Sequence, residues 1–313
     1  MADLPKRKLG RTGLEVTVLG FGTLELRGSF QRPGPGLPGR PLVPTQAQGI
    51  LNAVLDAGIN FIDTCIDYGE SEEYIGKYIS HRRNEYILAS KCGCIVDPAS
   101  APPGGGQHVY TRKNITAGVN QSLKRMKTDH LDLIQFHGSP SKQVLEQEGA
   151  IQTLLDLKRE GKVRFIGASS TLPNVADLIK LGVFDTFQVP YSAIQREHEG
   201  VISQAAKAGA GTIIRGGVAR GSPEEEGRGD PDAWKLWGRA KLDELLDGMT
   251  QMEFVLRFTI THPDLHTAIV GTLNPAHLAK NVAVVRNGPL PASVYNEAKK
   301  RLAAAGAVPV STQ

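Results

Sequence analysis

Four polar residues stand inside or just after short apolar segments of this 313-residue sequence. In chain order they are Asp63, Tyr68, Lys91 and His137. Each alone has an ordinary explanation, because a lysine at the end of a strand usually extends to solvent and a histidine there is more often structural. Together they match the needs of proton donation to a carbonyl oxygen, which requires an acid, a charge beside that acid and a group that orients the oxygen.

Tyr68 is the predicted acid. A free tyrosine has a pKa of about 10, and a lysine ammonium within about 4–6 Å lowers that pKa because it stabilises the phenolate. We expect Lys91 to act on Tyr68 in this way, and Asp63 to keep the lysine charged and aimed. His137 would donate a hydrogen bond to the carbonyl oxygen as negative charge develops there.

Residues so distant in the chain can meet only if the fold brings several strand ends together. Apolar, β-branched segments alternate with segments of helical periodicity along most of the sequence. The predicted strands are Val18–Thr23, Phe61–Cys65, Tyr86–Lys91, Leu131–His137, Val163–Ser169, Thr186–Pro190, Thr212–Arg215 and Thr267–Gly271. The predicted helices lie near 45–57, 71–80, 112–126, 144–160, 173–181, 197–208, 250–261 and 275–286.

Eight strand–helix units predict one (β/α)8 barrel domain over residues 1–313, with its active site at the carboxyl ends of the strands. The segment KRKLGRTGLEVTVLG, before the first unit, predicts a hairpin that closes the bottom of the barrel. A last helix near 291–304 would pack outside. Long irregular segments follow three strands on the predicted active-site side, at 27–41, 96–108 and 221–238. In the third segment, Trp234 and Trp237 would either cover substrate or pack a short helix.

A Rossmann fold is the alternative architecture, because LGFGTLE contains Gly20-x-Gly22. The dinucleotide-binding fingerprint requires a third glycine where Glu25 stands. A segment rich in proline and glycine also follows where a helix should begin. We therefore reject this alternative.

The composition is ordinary for a soluble globular protein, and the cytoplasm is the expected location. The formal net charge is +4, and the lysines and arginines form no basic stripe, so nucleic acid is not an expected partner. No apolar segment follows the charged N-terminus as in a signal peptide, and none reaches the roughly 18 residues that a membrane span requires.

Six segments of the chain, in the same order, are similar to motifs of the aldo-keto reductase family. They are GINFIDTCIDYGESE, ASK, SLKRMKTDHLDLIQFH, VRFIGASS, FQVPYS and AIVGTLNPAHLAKN. The resemblance covers nearly the whole chain. It implies a (β/α)8 fold and hydride transfer from NADPH to an aldehyde or ketone, or the reverse reaction.

The same resemblance implies a cofactor that lies extended across the mouth of the barrel. Ser169 and Gln188 would bind the nicotinamide carboxamide, and IIRGGVARG would hold the pyrophosphate. Asn281 would contact the adenine. The full set of implied cofactor-binding residues is Gly22, Thr23, Asp63, Ser169, Ser170, Gln188, Arg215, Gly216, Arg220, Gly271, Thr272, His277 and Asn281.

Four positions depart from the common family pattern. Ser170 stands where asparagine is frequent, and Cys65 stands where a small alanine is common. Many members carry lysine at the position of Gly271 and arginine at that of His277, both directed at the 2′-phosphate. A histidine binds phosphate less firmly than a bidentate arginine. NADP(H) is therefore expected over NAD(H) from the family preference, while NAD(H) stays open.

The three cysteines, Cys65, Cys92 and Cys94, are too few for a disulfide framework. The Cys92-x-Cys94 pair has no second pair and no suitably spaced histidine, so we expect no metal site. Their role is left open between reactive thiols that modulate activity and packed core residues.

Two other functions remain open. One is a low-turnover redox sensor or regulatory subunit of the same fold. The other is a Schiff-base enzyme with Lys91 as the nucleophile, which needs a neutral amine and is disfavoured by Asp63 beside it. The sequence does not identify the substrate, the physiological direction or the oligomeric state.

Overall fold

The computed structural model describes residues 3–29, 42–97, 107–222 and 229–311. An antiparallel hairpin of β1 (Lys6–Lys8) and β2 (Glu15–Thr17) precedes a closed barrel of eight parallel strands. The barrel strands are β3 (Leu19–Gly22), β4 (Phe61–Asp63), β5 (Ile87–Cys92), β6 (Leu131–Phe136), β7 (Val163–Ser169), β8 (Thr186–Pro190), β9 (Gly211–Arg215) and β10 (Thr267–Val270). They are hydrogen-bonded in chain order, and β10 pairs with β3 to close the ring. The predicted (β/α)8 fold is confirmed.

The described helices surround the barrel. They are α1 (Pro44–Asp56), α2 (Ser71–Tyr78), α3 (Arg112–Met126), α4 (Lys142–Gln147), α5 (Ala150–Arg159), α6 (Asn174–Lys180), α7 (Glu199–Lys207), α8 (Pro231–Arg239), α9 (Gln251–Thr261), α10 (Pro275–Arg286) and α11 (Ala292–Ala304). Among these described helices, none is long and apolar enough to cross a membrane.

Two helical predictions differ from the structure. The helix expected over 144–160 is divided into α4 and α5, because Gly149 adopts a left-handed φ of 60° between them. The short helix α8 forms within the segment predicted to be irregular, and the side chain of Asp230 caps its first turn. Trp234 and Trp237 on α8 are both buried, and Trp237 packs edge-on against Phe254. The two indoles therefore pack a short helix.

The hairpin closes the lower end of the barrel. Leu9 and Val16, which are both fully buried, form one apolar cluster with residues from the barrel strands. The strand residues of this cluster are Phe61, Ala89, Leu133 and Ile213. Since the bottom is filled with apolar side chains, the polar residues inside the barrel are concentrated toward the carboxyl ends of its strands.

Close packing between β7 and β8 depends on the absence of a side chain at Gly167. A Cβ atom there would lie 2.2 Å from Thr186 Oγ1 and 2.9 Å from the carbonyl oxygen of Thr186. We expect Gly167→Ala to lower the free energy of unfolding by about 1–3 kcal/mol, because the strands would have to separate.

Gly49 is the matched control, since it is exposed on α1 and a Cβ there would meet nothing within 4 Å. Gly49→Ala should raise stability by about 0.5–1 kcal/mol through helix propensity. Urea unfolding of both variants measures the difference. Equal stability of the two variants would contradict the described packing of β7 on β8.

Candidate active site

Every barrel strand supplies one of the predicted site residues at or just beyond its carboxyl end. In barrel order they are Gly22 on β3, Asp63 on β4, Lys91 on β5, His137 after β6, Ser169 on β7, Gln188 on β8, Arg215 on β9 and Gly271 after β10. Because parallel strands of a closed barrel end on one face, these residues share the upper opening.

Asp63 and Lys91 form an ion pair inside the barrel. Lys91 Nζ lies 2.5 Å from Asp63 Oδ1, and the two side chains are 1% and 2% exposed. The ammonium also donates to the carbonyl oxygen of Thr64 at 2.8 Å. Burial alone would lower the pKa of Lys91, but the negative charge of Asp63 outweighs it, and the net pKa is raised. The lysine is therefore charged at neutral pH.

The second oxygen of Asp63 is held by two amides. Gln188 Nε2 donates to Asp63 Oδ2 at 2.9 Å, and Gln135 Nε2 donates to the same oxygen at 3.2 Å. Ser169 Oγ in turn donates to Gln188 Oε1 at 3.0 Å. Sequence reasoning missed Gln135. Its signal was a polar side chain two positions before His137 and hence on the same side of β6.

Tyr68 lies against this ion pair. Lys91 Nζ is 5.0 Å from the centre of the Tyr68 ring, and the ring meets His137 edge-on at a centroid distance of 6.2 Å. The backbone N–H of Tyr68 donates to the carbonyl oxygen of Cys65 at 3.0 Å, in a turn that begins directly after β4. Three of the predicted catalytic groups therefore contact one another through Tyr68.

The pKa of Tyr68 differs from the sequence-based expectation. Burial raises it, and the positive charge of Lys91 opposes this effect without overcoming it, so that the net pKa lies above 10. The sequence predicts that Lys91 lowers the pKa of Tyr68, and this prediction is wrong for the net shift. Desolvation of the phenolate is larger here, and Tyr68 consequently carries its proton at neutral pH.

His137 is surrounded by thiols and polar groups on its Nδ1 side. Nδ1 lies 3.2 Å from Cys94 Sγ, 3.5 Å from Cys65 Sγ and 3.3 Å from His108 Nε2. Asp67 Oδ2 is 3.7 Å away. A neutral imidazole has one donor nitrogen and one acceptor nitrogen. If a thiol donates to Nδ1, the ring proton lies on Nε2, which is then a donor.

Comparison with known proteins agrees with this geometry. The sequence model of the Aldo/keto reductase family matches residues 18–302. The chain belongs to this family. An aldo-keto reductase of Bacillus halodurans, AKR11C1 in its holo form, is 29% identical, superimposes with a TM-score of 0.79, and is matched over 95% of this chain and 96% of that one.

Two curated relatives show a comparable sequence identity to this chain. The uncharacterized oxidoreductase YqkF of Bacillus subtilis is 27% identical over 293 residues, which are 88% of this chain and 90% of that protein. The NADH-specific methylglyoxal reductase of Escherichia coli is 24% identical over 318 aligned positions, covering 90% of this chain and 94% of that protein. The protein is an oxidoreductase enzyme.

Aldo/keto reductases use nicotinamide cofactors. The side-chain hydroxyls of three residues that the resemblance assigned to the cofactor, Thr23 through its backbone, already have partners within the protein. Thr23 Oγ1 donates to the carbonyl oxygen of Asp63 at 3.1 Å and accepts from Ser71 Oγ at 2.6 Å. Ser170 Oγ lies 2.9 Å from Ser139 Oγ. Thr272 Oγ1 accepts from the backbone N–H of Asn274 at 3.0 Å. These three side chains organise the loops of this face.

The loop after β9 has the donor chemistry that a pyrophosphate needs. Gly216, Ala219, Arg220 and Gly221 all have positive φ, between 49° and 85°. Turns of this kind group backbone N–H donors on one side and favour anions. The guanidinium groups of Arg215, which is half-buried, and Arg220, which is exposed, add positive charge. These residues fit a dinucleotide phosphate.

The far end of the predicted cofactor site lies after β10. Gly271 is exposed, and a Cβ there would approach the carbonyl oxygen of Gly22 to 2.5 Å, so close packing of the two loops already requires this glycine. His277 is exposed in the first turn of α10, and Asn281 is half-buried one turn later. The positive end of the helix dipole favours an anion near His277.

His198, beside this face, titrates abnormally. The residue is buried, and its Nε2 accepts from the backbone N–H of Leu172 at 3.0 Å. Burial, helped by the charge of Arg215, lowers the pKa of His198 from 6.5 to about 4. Protonation would remove the acceptor of this hydrogen bond.

Between about pH 6.5 and 4, the unfolded chain binds a proton at His198 that the folded protein does not, so stability is full above this window and falls as the pH is lowered through it. The loss is about 3–4 kcal/mol at most. His198→Gln retains an acceptor without the titration, and should therefore show a smaller loss. Urea unfolding of both proteins at several pH values tests this, and parallel curves would contradict it.

Proposed function

We propose that this protein is an NAD(P)H-dependent oxidoreductase that interconverts a carbonyl group and an alcohol, with Tyr68 as the general acid. The observation that carries the proposal is the buried Asp63–Lys91 pair with the Tyr68 ring 5.0 Å from the ammonium. A bound nicotinamide dinucleotide would supply or accept the hydride. The residues of the chain have to place the carbonyl, hold the proton and stabilise the charge that develops on oxygen.

Tyr68 holds the proton that the reaction needs. Its raised pKa keeps the phenol protonated in the absence of substrate. As the carbonyl oxygen gains negative charge, the phenolic proton moves to it, and the adjacent Lys91 ammonium stabilises the phenolate that remains. Lys91 therefore contributes more after proton transfer than before it, as a group that favours the transition state should.

Asp63 is a positioning residue for Lys91. It holds the ammonium through one oxygen and is itself fixed by Gln135 and Gln188 through the other. The raised pKa of Lys91 also argues against a Schiff-base mechanism, because a protonated amine is not a nucleophile.

His137 would orient the substrate. With a thiol donating to Nδ1, the proton on Nε2 is available for a hydrogen bond to the carbonyl oxygen. Such a donor, already oriented before the reaction, contributes more in a partly desolvated site than in water. The neighbouring Tyr68 and His137 rings, whose centroids are 6.2 Å apart, support the proposal that two donors act on one oxygen.

We expect Tyr68→Phe to lower kcat for reduction of an activated aromatic aldehyde by about 10²–10⁴-fold, because the variant lacks the proton donor. The decrease in nicotinamide absorbance measures turnover, and quenching of protein fluorescence measures cofactor affinity, which should be unchanged. Tyr78→Phe is the matched control, since Tyr78 is also half-buried but lies on α2, stacked on Tyr74.

A Tyr68→Phe variant that retains turnover within about threefold of the original would exclude Tyr68 as the acid. Tight cofactor binding by the unmodified protein without turnover of any aldehyde or ketone would instead support the redox sensor of the same fold.

NADP(H) is the proposed cofactor, with His277 at the amino end of α10 near its 2′-phosphate. His277→Arg should raise kcat/KM for NADPH relative to NADH by about tenfold, because a guanidinium forms a bidentate, charge-assisted contact with phosphate. His277→Gln, which is neutral, is the control and should change the ratio far less. An arginine variant with an unchanged ratio would place position 277 away from the phosphate.

A further inference from the structure

Side chains from three adjacent strand ends converge beside Tyr68 to form a cluster that the proposed hydride transfer does not use as a whole. We call it the thiol cluster: Cys65, Asp67, Cys94 and His137. One ligand atom from each residue lies within 4.8 Å of the others. Cys65 and Asp67 follow β4, Cys94 follows β5, and His137 follows β6.

Four of the six distances between ligand atoms of the thiol cluster are close to the edges of a tetrahedron, and the other two, from Asp67 to the two sulfurs, are no longer than 4.8 Å. The two Sγ atoms are 3.5 Å apart, and they lie 3.5 and 3.2 Å from His137 Nδ1. His137 Nδ1 lies 3.7 Å from Asp67 Oδ2. Tetrahedral zinc, with bonds of about 2.3 Å to sulfur and about 2.1 Å to nitrogen and oxygen, gives edges of about 3.8 Å between sulfurs, 3.5 Å from sulfur to nitrogen and 3.4 Å from nitrogen to oxygen. Each observed distance is therefore within about 0.4 Å of the corresponding edge.

We propose that the thiol cluster binds one thiophilic divalent cation of the zinc type, through Cys65 Sγ, Cys94 Sγ, His137 Nδ1 and Asp67 Oδ2. Two sulfurs, one imidazole and one carboxylate favour zinc over magnesium or calcium, which take oxygen ligands. Binding forms four metal–ligand bonds, and the two thiol protons pass to solvent.

The backbone around the thiol cluster is fixed in place by neighbouring side chains. Tyr110 OH donates to the carbonyl oxygen of His137 at 2.5 Å, and Asn114 Nδ2 donates to that of Cys94 at 2.9 Å. The two cysteines are buried, while the side chains of Asp67 and His137 are 18% and 12% exposed. A cation can therefore reach the ligands from the outer side, where His108 Nε2, 3.3 Å from His137 Nδ1, offers a further nitrogen.

Cys92 is not part of the thiol cluster, although the sequence places it next to Cys94. It lies within β5 and packs into the main apolar core, whereas Cys94 packs with Cys65 and Ile66. The expectation of no metal site rested on the Cys92-x-Cys94 pair. The proposed ligands come instead from loops after three different strands.

Cobalt(II) is the probe, because its visible spectrum distinguishes tetrahedral thiolate coordination. The full chain, stripped of metal and kept reduced by a phosphine, should bind one equivalent and develop a thiolate-to-cobalt charge-transfer band. Cys65→Ser and Cys94→Ser should each weaken cobalt binding by more than about a hundredfold. Cys92→Ser, the matched control, should bind as tightly as the unmodified protein.

X-ray absorption of the zinc-loaded, unmodified protein provides a test that needs no variant. The expected coordination shell contains two sulfurs and two or three nitrogen or oxygen atoms. A shell without sulfur, no bound equivalent of metal, or equal loss of binding in Cys92→Ser would overturn the proposal. These readouts do not involve turnover, so their outcome is independent of whether the carbonyl reductase proposal holds.

Discussion

The buried ion pair of Asp63 and Lys91 is the constraint on which the upper half of the barrel depends. Moving two ions out of water costs several kcal/mol for each ion, and their attraction offsets this only when the geometry is good and the remaining hydrogen-bonding capacity is used. Both conditions are met here, because Thr64, Gln135 and Gln188 complete the polar contacts of the pair. Apolar side chains of similar volume would stabilise a barrel interior at least as well. The ion pair is therefore better explained by its position, which holds the positive charge of Lys91 beside Tyr68, than by a contribution to the stability of the fold.

Much of this architecture could be predicted from the sequence. Val163–Ser169 and Thr186–Pro190 were predicted with the bounds that the structure shows, because β-branched and apolar residues there are interrupted at each end. The break at Gly149 was missed, since glycine inside a periodic segment does not reveal whether its φ will be positive. The segment that contains α8 was predicted to be irregular, and a short helix packed by Trp234 and Trp237 was only one of two alternatives, because Pro231 and the preceding glycines do not show where a helix begins.

The residues of the candidate site could be predicted from the sequence more fully than their pKa values and hydrogen-bond partners. Asp63, Lys91 and Tyr68 could be linked from their places at strand ends. The direction of the Tyr68 pKa could not, because it depends on how much water the folded loops remove from the phenol. Likewise, the partner that holds Ser170 is Ser139, from the loop after a different strand, and no local spacing in the sequence indicates that contact.

Closure of the barrel by β10 has a consequence for the chain during its synthesis. All four predicted catalytic residues lie before position 138, yet the ring is complete only when β10 pairs with β3 and β9. A growing chain on the ribosome thus contains these four residues well before the strand that joins its two open edges. Until Thr267–Val270 emerges, β3 and β9 expose unpaired backbone groups that can associate with other chains. The completed ring removes both of these edges, so that closure by β10 also protects the barrel from edge-to-edge association.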